Sequence, residues 1–187
     1  MHEFLYLGSI VGDTYSLGIL EDVVRRIAEA TKIHGRLKPI WRSRKLPRNI
    51  KRRLFLVCVG STLLYGCENW AIPEAASHLI NKFWYSRIHN ILGISWFRMR
   101  DQRITNEQSA AMLGVPDWRV LVGRRYTRWL GHVARMAPTR LARQALFGFA
   151  KGRTQLKTVR RRNLVSHAKT ALKGLPEFEG RIWAHIA

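Results

Sequence analysis

Twelve carboxylates are available for acid, base or metal chemistry in this chain, and they are scattered. The close pairs are Glu21/Asp22 and Glu177/Glu179. Metal-assisted phosphoryl transfer needs carboxylates that converge on the cations they hold. Glu21/Asp22 is followed by Arg25 and Arg26, so it reads instead as ion pairing on a helix surface. Seven histidines are dispersed, and His34 falls on an apolar helical face as a core or boundary residue. Cys58 and Cys67 form no CxxC pair and read as small buried apolar residues. His78 and His89 do not complete a zinc set with them, because the spacing is nonstandard. There is no P-loop, GxSxG or HExxH. No catalytic residue, metal or cofactor is predicted.

The cations carry the functional signal. Lys and Arg number 33 against the 12 acids, a formal net charge of +21. Such an excess strains a compact chain by self-repulsion and implies a polyanionic partner, nucleic acid first. Disorder is excluded for most of the chain by 47% hydrophobic and 10% aromatic content. Cations fall in blocks, and a row of Arg and Lys on one helix face follows a nucleic-acid backbone without reading its sequence. The candidate phosphate-binding residues are Arg25, Lys32 and Arg36; Lys51 and Arg52; Arg124, Arg128 and Arg135; and Arg160, Arg161 and Arg162. No membrane partner is expected, since the most apolar run, Leu54 to Tyr65, is far shorter than the roughly twenty residues that span a bilayer. The N-terminus carries Glu3 and lacks the cationic start of a signal peptide. Two cysteines are too few for a disulfide scaffold, so the expected setting is intracellular and reducing, nucleus or cytoplasm.

These faces need helices to present them, and the expected fold class is mainly α. A short N-terminal β-hairpin or strand is read at Phe4 to Val11, before Gly12-Asp13. Apolar residues at Ile19, Val23, Ile27, Ala30, His34 and Leu37 predict a first helix that ends near Lys38, before Pro39. A second helix runs from Pro47 to Tyr65, apolar on every side beyond Leu54 and therefore the central buried element. A third spans Glu74 to Leu92 with Leu79, Phe83 and Ile91 inward and Gly93 as its stop. Thr105 and Gln108 form a capping box for a short helix. Asp117 then caps a long one reaching Met136, with Trp118, Val122, Trp129, Val133 and Met136 on one face and Arg124, Arg128 and Arg135 on another.

Several collinear motifs bring a family into view. Tyr6-Leu7-Gly8, Gly35-Arg36-Leu37-Lys38-Pro39-Ile40-Trp41 and Leu63-Leu64-Tyr65-Gly66-Cys67-Glu68-Asn69-Trp70 come first. Arg87-Ile88, Ile91-Leu92-Gly93-Ile94-Ser95-Trp96, Arg103-Ile104-Thr105-Asn106-Glu107 and Arg124 to Met136 follow in the same order. Together, over about residues 4 to 150, they resemble the C-terminal part of a LINE-type (non-LTR) retrotransposon reverse transcriptase. The resemblance implies four regions: residues 1–15 as the end of the palm with a primer-grip-like hairpin, 16–93 as a three-helix thumb, 94–150 as a helical post-thumb region, and 151–187 as a basic tail. It implies primer placement for Tyr6, Leu7 and Gly8, and a template–primer RNA/DNA duplex or other nucleic acid as partner. The paired palm aspartates lie upstream of this hairpin in the family. The chain is therefore expected to be a fragment of an RNA-directed DNA polymerase without its own catalytic site, with the missing palm and fingers as further partners. Two other readings stay open: a freestanding helix-turn-helix-like nucleic-acid-binding module, and a retrotransposon remnant without function.

Overall fold

The apolar spacing of the first helix sets the architecture. The computed structural model describes residues 4–6, 9–11, 15–70 and 72–147. It is mainly helical. Packing divides the chain into two units. One holds the described residues up to Gly66 together with Trp70–Trp118, and the other holds Cys67–Asn69 and the chain from Arg119 onward.

In the first unit α1 (Tyr15–Arg36) buries Ile19, Val23, Ala30 and His34 of the expected face, while Ile27 is half-buried and Leu37, also half-buried, lies just beyond the helix. It packs on α5 (Glu74–Leu92), which buries Ile80, Phe83, Trp84, Ile88 and Ile91 and ends on Gly93 at φ 67°. A left-handed residue there lets the Ile94 amide reach the His89 carbonyl at 3.0 Å and satisfies the last turn. Leu79 lies at the margin of this face rather than in it.

Pro39 does not simply end the first helix. It sits in the first turn of a separate short helix, α2 (Lys38–Arg42), where its missing amide costs nothing. Trp41 then folds back on α1, its ring stacked 5.4 Å from that of His34, and its indole N–H donates to the His34 carbonyl at 2.9 Å.

The expected second helix is one rod with an irregular middle. α3 (Arg48–Leu54) passes into a π-helical stretch, Phe55–Gly60, and resumes as α4 (Ser61–Leu63). The widened turn is held by the Ser61 hydroxyl donating to the Val57 carbonyl and by Thr62 Oγ1 donating to the Cys58 carbonyl at 2.9 Å. Gly60 faces the Trp84 ring, 3.4 Å from where a Cβ would stand, and that ring also meets Phe55 at 4.8 Å between centroids. The rod is not buried on every side. Phe55, Val59, Leu63 and Leu64 are interior, but Val57 is 62% exposed, because α1 and α5 cover only part of its circumference.

α6 (Trp96–Asp101) and α7 (Asn106–Leu113) follow, the latter entered through the Thr105–Gln108 capping box. α7 packs on α5, and His89 Nε2 lies 3.0 Å from Ser109 Oγ. The first unit runs to Trp118.

In the second unit, α8 (Trp118–Ala134, its first residue belonging to the first unit) buries Val122, Tyr126, Leu130 and Val133; α9 (Leu141–Phe147) follows. Trp129 and Met136, expected on the inner face, lie at its margin. The buried stripe follows the i+4 ridge and so drifts round the helix toward Tyr126 and Leu130.

At the N-terminus β1 (Phe4–Tyr6) and β2 (Ser9–Val11) are drawn antiparallel, Phe4 opposite Val11. Three residues a side make a marginal pairing in water. The expected hairpin gains no support from it, and the mainly α class rests on the helices.

The expected pairing of Asp22 with Arg25 and Arg26 is present, but inside the unit rather than on its surface. Asp22 is not a solvated surface carboxylate but 2% exposed. Arg25 Nη2 donates to Oδ1 at 2.7 Å, Arg26 Nε lies 3.7 Å away, and the Trp70 indole donates to Oδ2 at 3.2 Å. Removing one partner of a buried pair leaves an uncompensated charge. Asp22→Ala is expected to cost about 3 kcal/mol in urea unfolding, and Arg25→Ala, which takes the 2.7 Å donor from the buried carboxylate but leaves it Arg26 and Trp70, about 1 to 2 kcal/mol.

His34 gives a pH signature. Burial, helped by the Arg87 cation, pushes its imidazole down to about 4, so the folded state resists the proton that the unfolded chain takes up near pH 6.5. Its contribution is fully present above pH 6.5 and is lost as pH falls toward 4. Burial lowers His89 in the same sense. The stability lost between pH 7 and pH 5 should shrink by about 2 kcal/mol in His34→Phe, read from denaturant unfolding at both pH values.

Candidate nucleic-acid interface

The five candidates on the first two helices separate once their neighbours are seen. Arg25 is turned onto Asp22. Lys32 Nζ donates to Glu29 Oε1 at 2.8 Å, and this contact holds the Glu29 carboxyl below its usual range. Lys51 Nζ donates to the Trp41 carbonyl at 2.7 Å, so it ties α3 to α2. Arg36 and Arg52 are exposed. The Arg52 stem passes Gly114, where a Cβ would come 3.4 Å from its Cδ; Gly114 also needs its left-handed φ of 74° to end α7.

The exposed charge is concentrated in a continuous stretch of which only Arg36 and Arg52 were already candidates. Arg36, Lys38, Arg42, Arg44, Lys45, Arg48, Arg52 and Arg53 are all exposed. Between Glu29 and Glu68 the sequence has no acid at all. The signal was present in that absence. Helical periodicity missed it because Arg44 and Lys45 lie in the turn between α2 and α3. Like charges this close are tolerable only in contact with solvent, and a polyanion laid against them releases its counterions.

On α8, Arg124 and Arg128 are exposed on the side away from the buried stripe, and exposed Arg135 lies one residue beyond the helix, its amide bonded to the Gly131 and His132 carbonyls. At 1.5 Å per residue the row is about 16 Å long, matching about five phosphates of one strand. Within the same unit Arg125, Arg128, Trp129 and His132, with Glu68 and Asn69, border a recess of about 360 Å³. Cys67 is buried, and burial pushes its thiol up to about 12, so it is neither a nucleophile nor a ready ligand at neutral pH.

Leu7, Gly8 and Arg160, Arg161 and Arg162 lie outside the described residues, as does the tail 151–187; Tyr6 is placed by its backbone only. Among the described residues no three of His, Cys, Asp and Glu come together as a metal-ligand set. No helix among them is long and apolar enough to cross a membrane. What the described surface offers is electrostatic and hydrogen-bond capture of phosphate, with no base-reading element required. No protein-family model, curated protein or solved structure matches this chain.

Cations already offset by a carboxylate release fewer counterions than open ones. Arg42→Ala and Arg48→Ala should each reduce the slope of log affinity against log salt by about one. Arg25→Ala and Lys32→Ala should change it by much less. Equal effects from all four in a fluorescence-anisotropy titration would remove the distinction.

Proposed function

We propose that this chain is the thumb and following region of a LINE-type reverse transcriptase, and that it binds a template–primer duplex through sequence-independent phosphate contacts. The observation that carries the reading is the acid-free stretch from Arg36 to Arg53, exposed on a well-packed helical unit. The collinear motifs between Tyr6 and Met136 supply the family. In this reading Arg36, Arg42, Arg48 and Arg52 hold one part of the duplex backbone, and Arg124, Arg128 and Arg135 contact nucleic acid from the second unit. Tyr6, Leu7 and Gly8 place the primer strand, and Arg160, Arg161 and Arg162 add phosphate contacts. The polymerising aspartates belong to the palm of the parent polymerase, against which, with the fingers, this region works. The setting is intracellular, where Cys58 and Cys67 stay reduced.

Duplex choice tests this. A thumb prefers A-form RNA/DNA hybrid over B-form DNA and binds hybrids of different sequence equally, because it meets shape and phosphate rather than base edges. The expected result is a hybrid preference of several-fold that persists across unrelated sequences, together with a steep salt dependence. Enrichment of one base sequence in a duplex selection would favour the helix-turn-helix alternative, with α8 in a groove. A salt slope near zero would remove the polyanion reading altogether.

A further inference from the structure

Trp96 and Phe97 are 63% and 78% exposed. By contrast, Trp41, Trp70, Trp84 and Trp118 are each at most 4% exposed. Trp96 and Phe97 stand edge to face, centroids 5.4 Å apart at 79°. Their support is fixed at both ends. Ser95 Oγ accepts from the Arg98 amide at 3.3 Å at the start of α6, and at its end the Ile104 amide reaches the Met99 carbonyl at 3.0 Å. Arg103 holds a left-handed φ of 48° there.

The surroundings of the rings are cationic. The Arg100 guanidinium lies over the Trp96 ring at 5.7 Å, and Arg98 is steered by a 3.1 Å hydrogen bond from its Nε to Gln102 Oε1. Phe97, Arg98, Arg100 and Asp101 border a recess of about 490 Å³, and Asp101 is the one acid between Ser95 and Thr105. Aromatics beside arginine also occur at protein interfaces, but Arg98, Arg100 and Arg103 against the one acid Asp101 leave these rings in a positive field that favours a polyanionic occupant. A single nucleic-acid strand uses both features at once, stacking its bases on the rings and setting its phosphates against the guanidinium groups.

We propose that Trp96 and Phe97, flanked by Arg98, Arg100 and Arg103, form a stacking platform for unpaired bases of single-stranded nucleic acid. The platform uses residues distinct from the duplex-binding cations and rests on the reading that the partner is nucleic acid. Both rings are exposed, so their replacement leaves the core intact.

The test compares the full chain with Trp96→Ala/Phe97→Ala and with Trp96→Phe/Phe97→Tyr, using labelled oligo(dT) and a blunt RNA/DNA hybrid as separate probes. The alanine pair should weaken oligo(dT) binding about 10- to 100-fold, the loss of one or two stacked bases, with hybrid affinity within about twofold. The aromatic-preserving pair should bind oligo(dT) nearly as the parent does. Unchanged oligo(dT) affinity in the alanine pair overturns the platform, and so does an equal loss on both probes. A changed sedimentation coefficient of the free chain with oligo(dT) affinity intact also overturns it, and assigns the rings to a second copy. Parent chain that binds oligo(dT) through the rings but not the hybrid sustains the platform while removing the duplex function.

Discussion

Asp22 accepts contacts from two guanidinium groups and an indole at a site that is 2% exposed, and the first unit is arranged around that fact. A buried carboxylate is tolerated only when its oxygens are satisfied. Arg25 and Arg26 supply charge from the next turn of the same helix, while Trp70 reaches Asp22 from beyond the α4 turn, 48 residues later. The contact pins the end of the irregular rod to α1. It also withdraws two cations from the surface. Burial lowers the Arg26 pKa even though Asp22 opposes the shift, and its guanidinium lies 4.5 Å over the Tyr65 ring.

That withdrawal shapes the electrostatics of what remains. With acids so few, each one spent on an internal pair, Asp22 on Arg25 and Glu29 on Lys32, quiets the α1 face and leaves the next twenty residues uncompensated. Repulsion among the exposed cations from Arg36 to Arg53 is screened by water and salt, so the isolated unit tolerates it. Lys51 contributes differently: by donating to the Trp41 carbonyl it fixes the α2–α3 turn on which its neighbours ride. A basic surface on anchored helices has lost side-chain and backbone freedom before any ligand arrives, which is what distinguishes it from a basic tail.

The sequence showed the helices more clearly than their environments. Gly93, Gly114 and the Thr105–Gln108 box carry local signals of backbone geometry, and they lie at helix ends as read. The π-helical turn carries no such signal, and Trp84, against which its Phe55 and Gly60 pack, lies 24 positions beyond Gly60. Burial of Asp22 was illegible for the same reason, since Trp70 is remote in sequence. Among the site residues, periodicity selected Arg25 and Lys32 by their face, but whether a cation is available depends on which carboxylate it meets. Arg44 and Lys45 were passed over because a turn has no face to count.

The proposed role explains why phosphate contacts suffice. A polymerase must let its product move by one base pair at each addition, and base-edge hydrogen bonds would hold one register more tightly than the next. Contacts to phosphate alone are nearly degenerate along the strand, which is the property that lets proteins slide on nucleic acid. Arginine forks on helix surfaces meet that requirement, since they bind phosphate strongly yet carry no sequence information. The same reasoning separates the two kinds of surface in this chain. Cations from Arg36 to Arg53 are suited to a duplex whose bases are stacked inside, whereas the exposed rings of α6 have something to bind only where bases are unpaired.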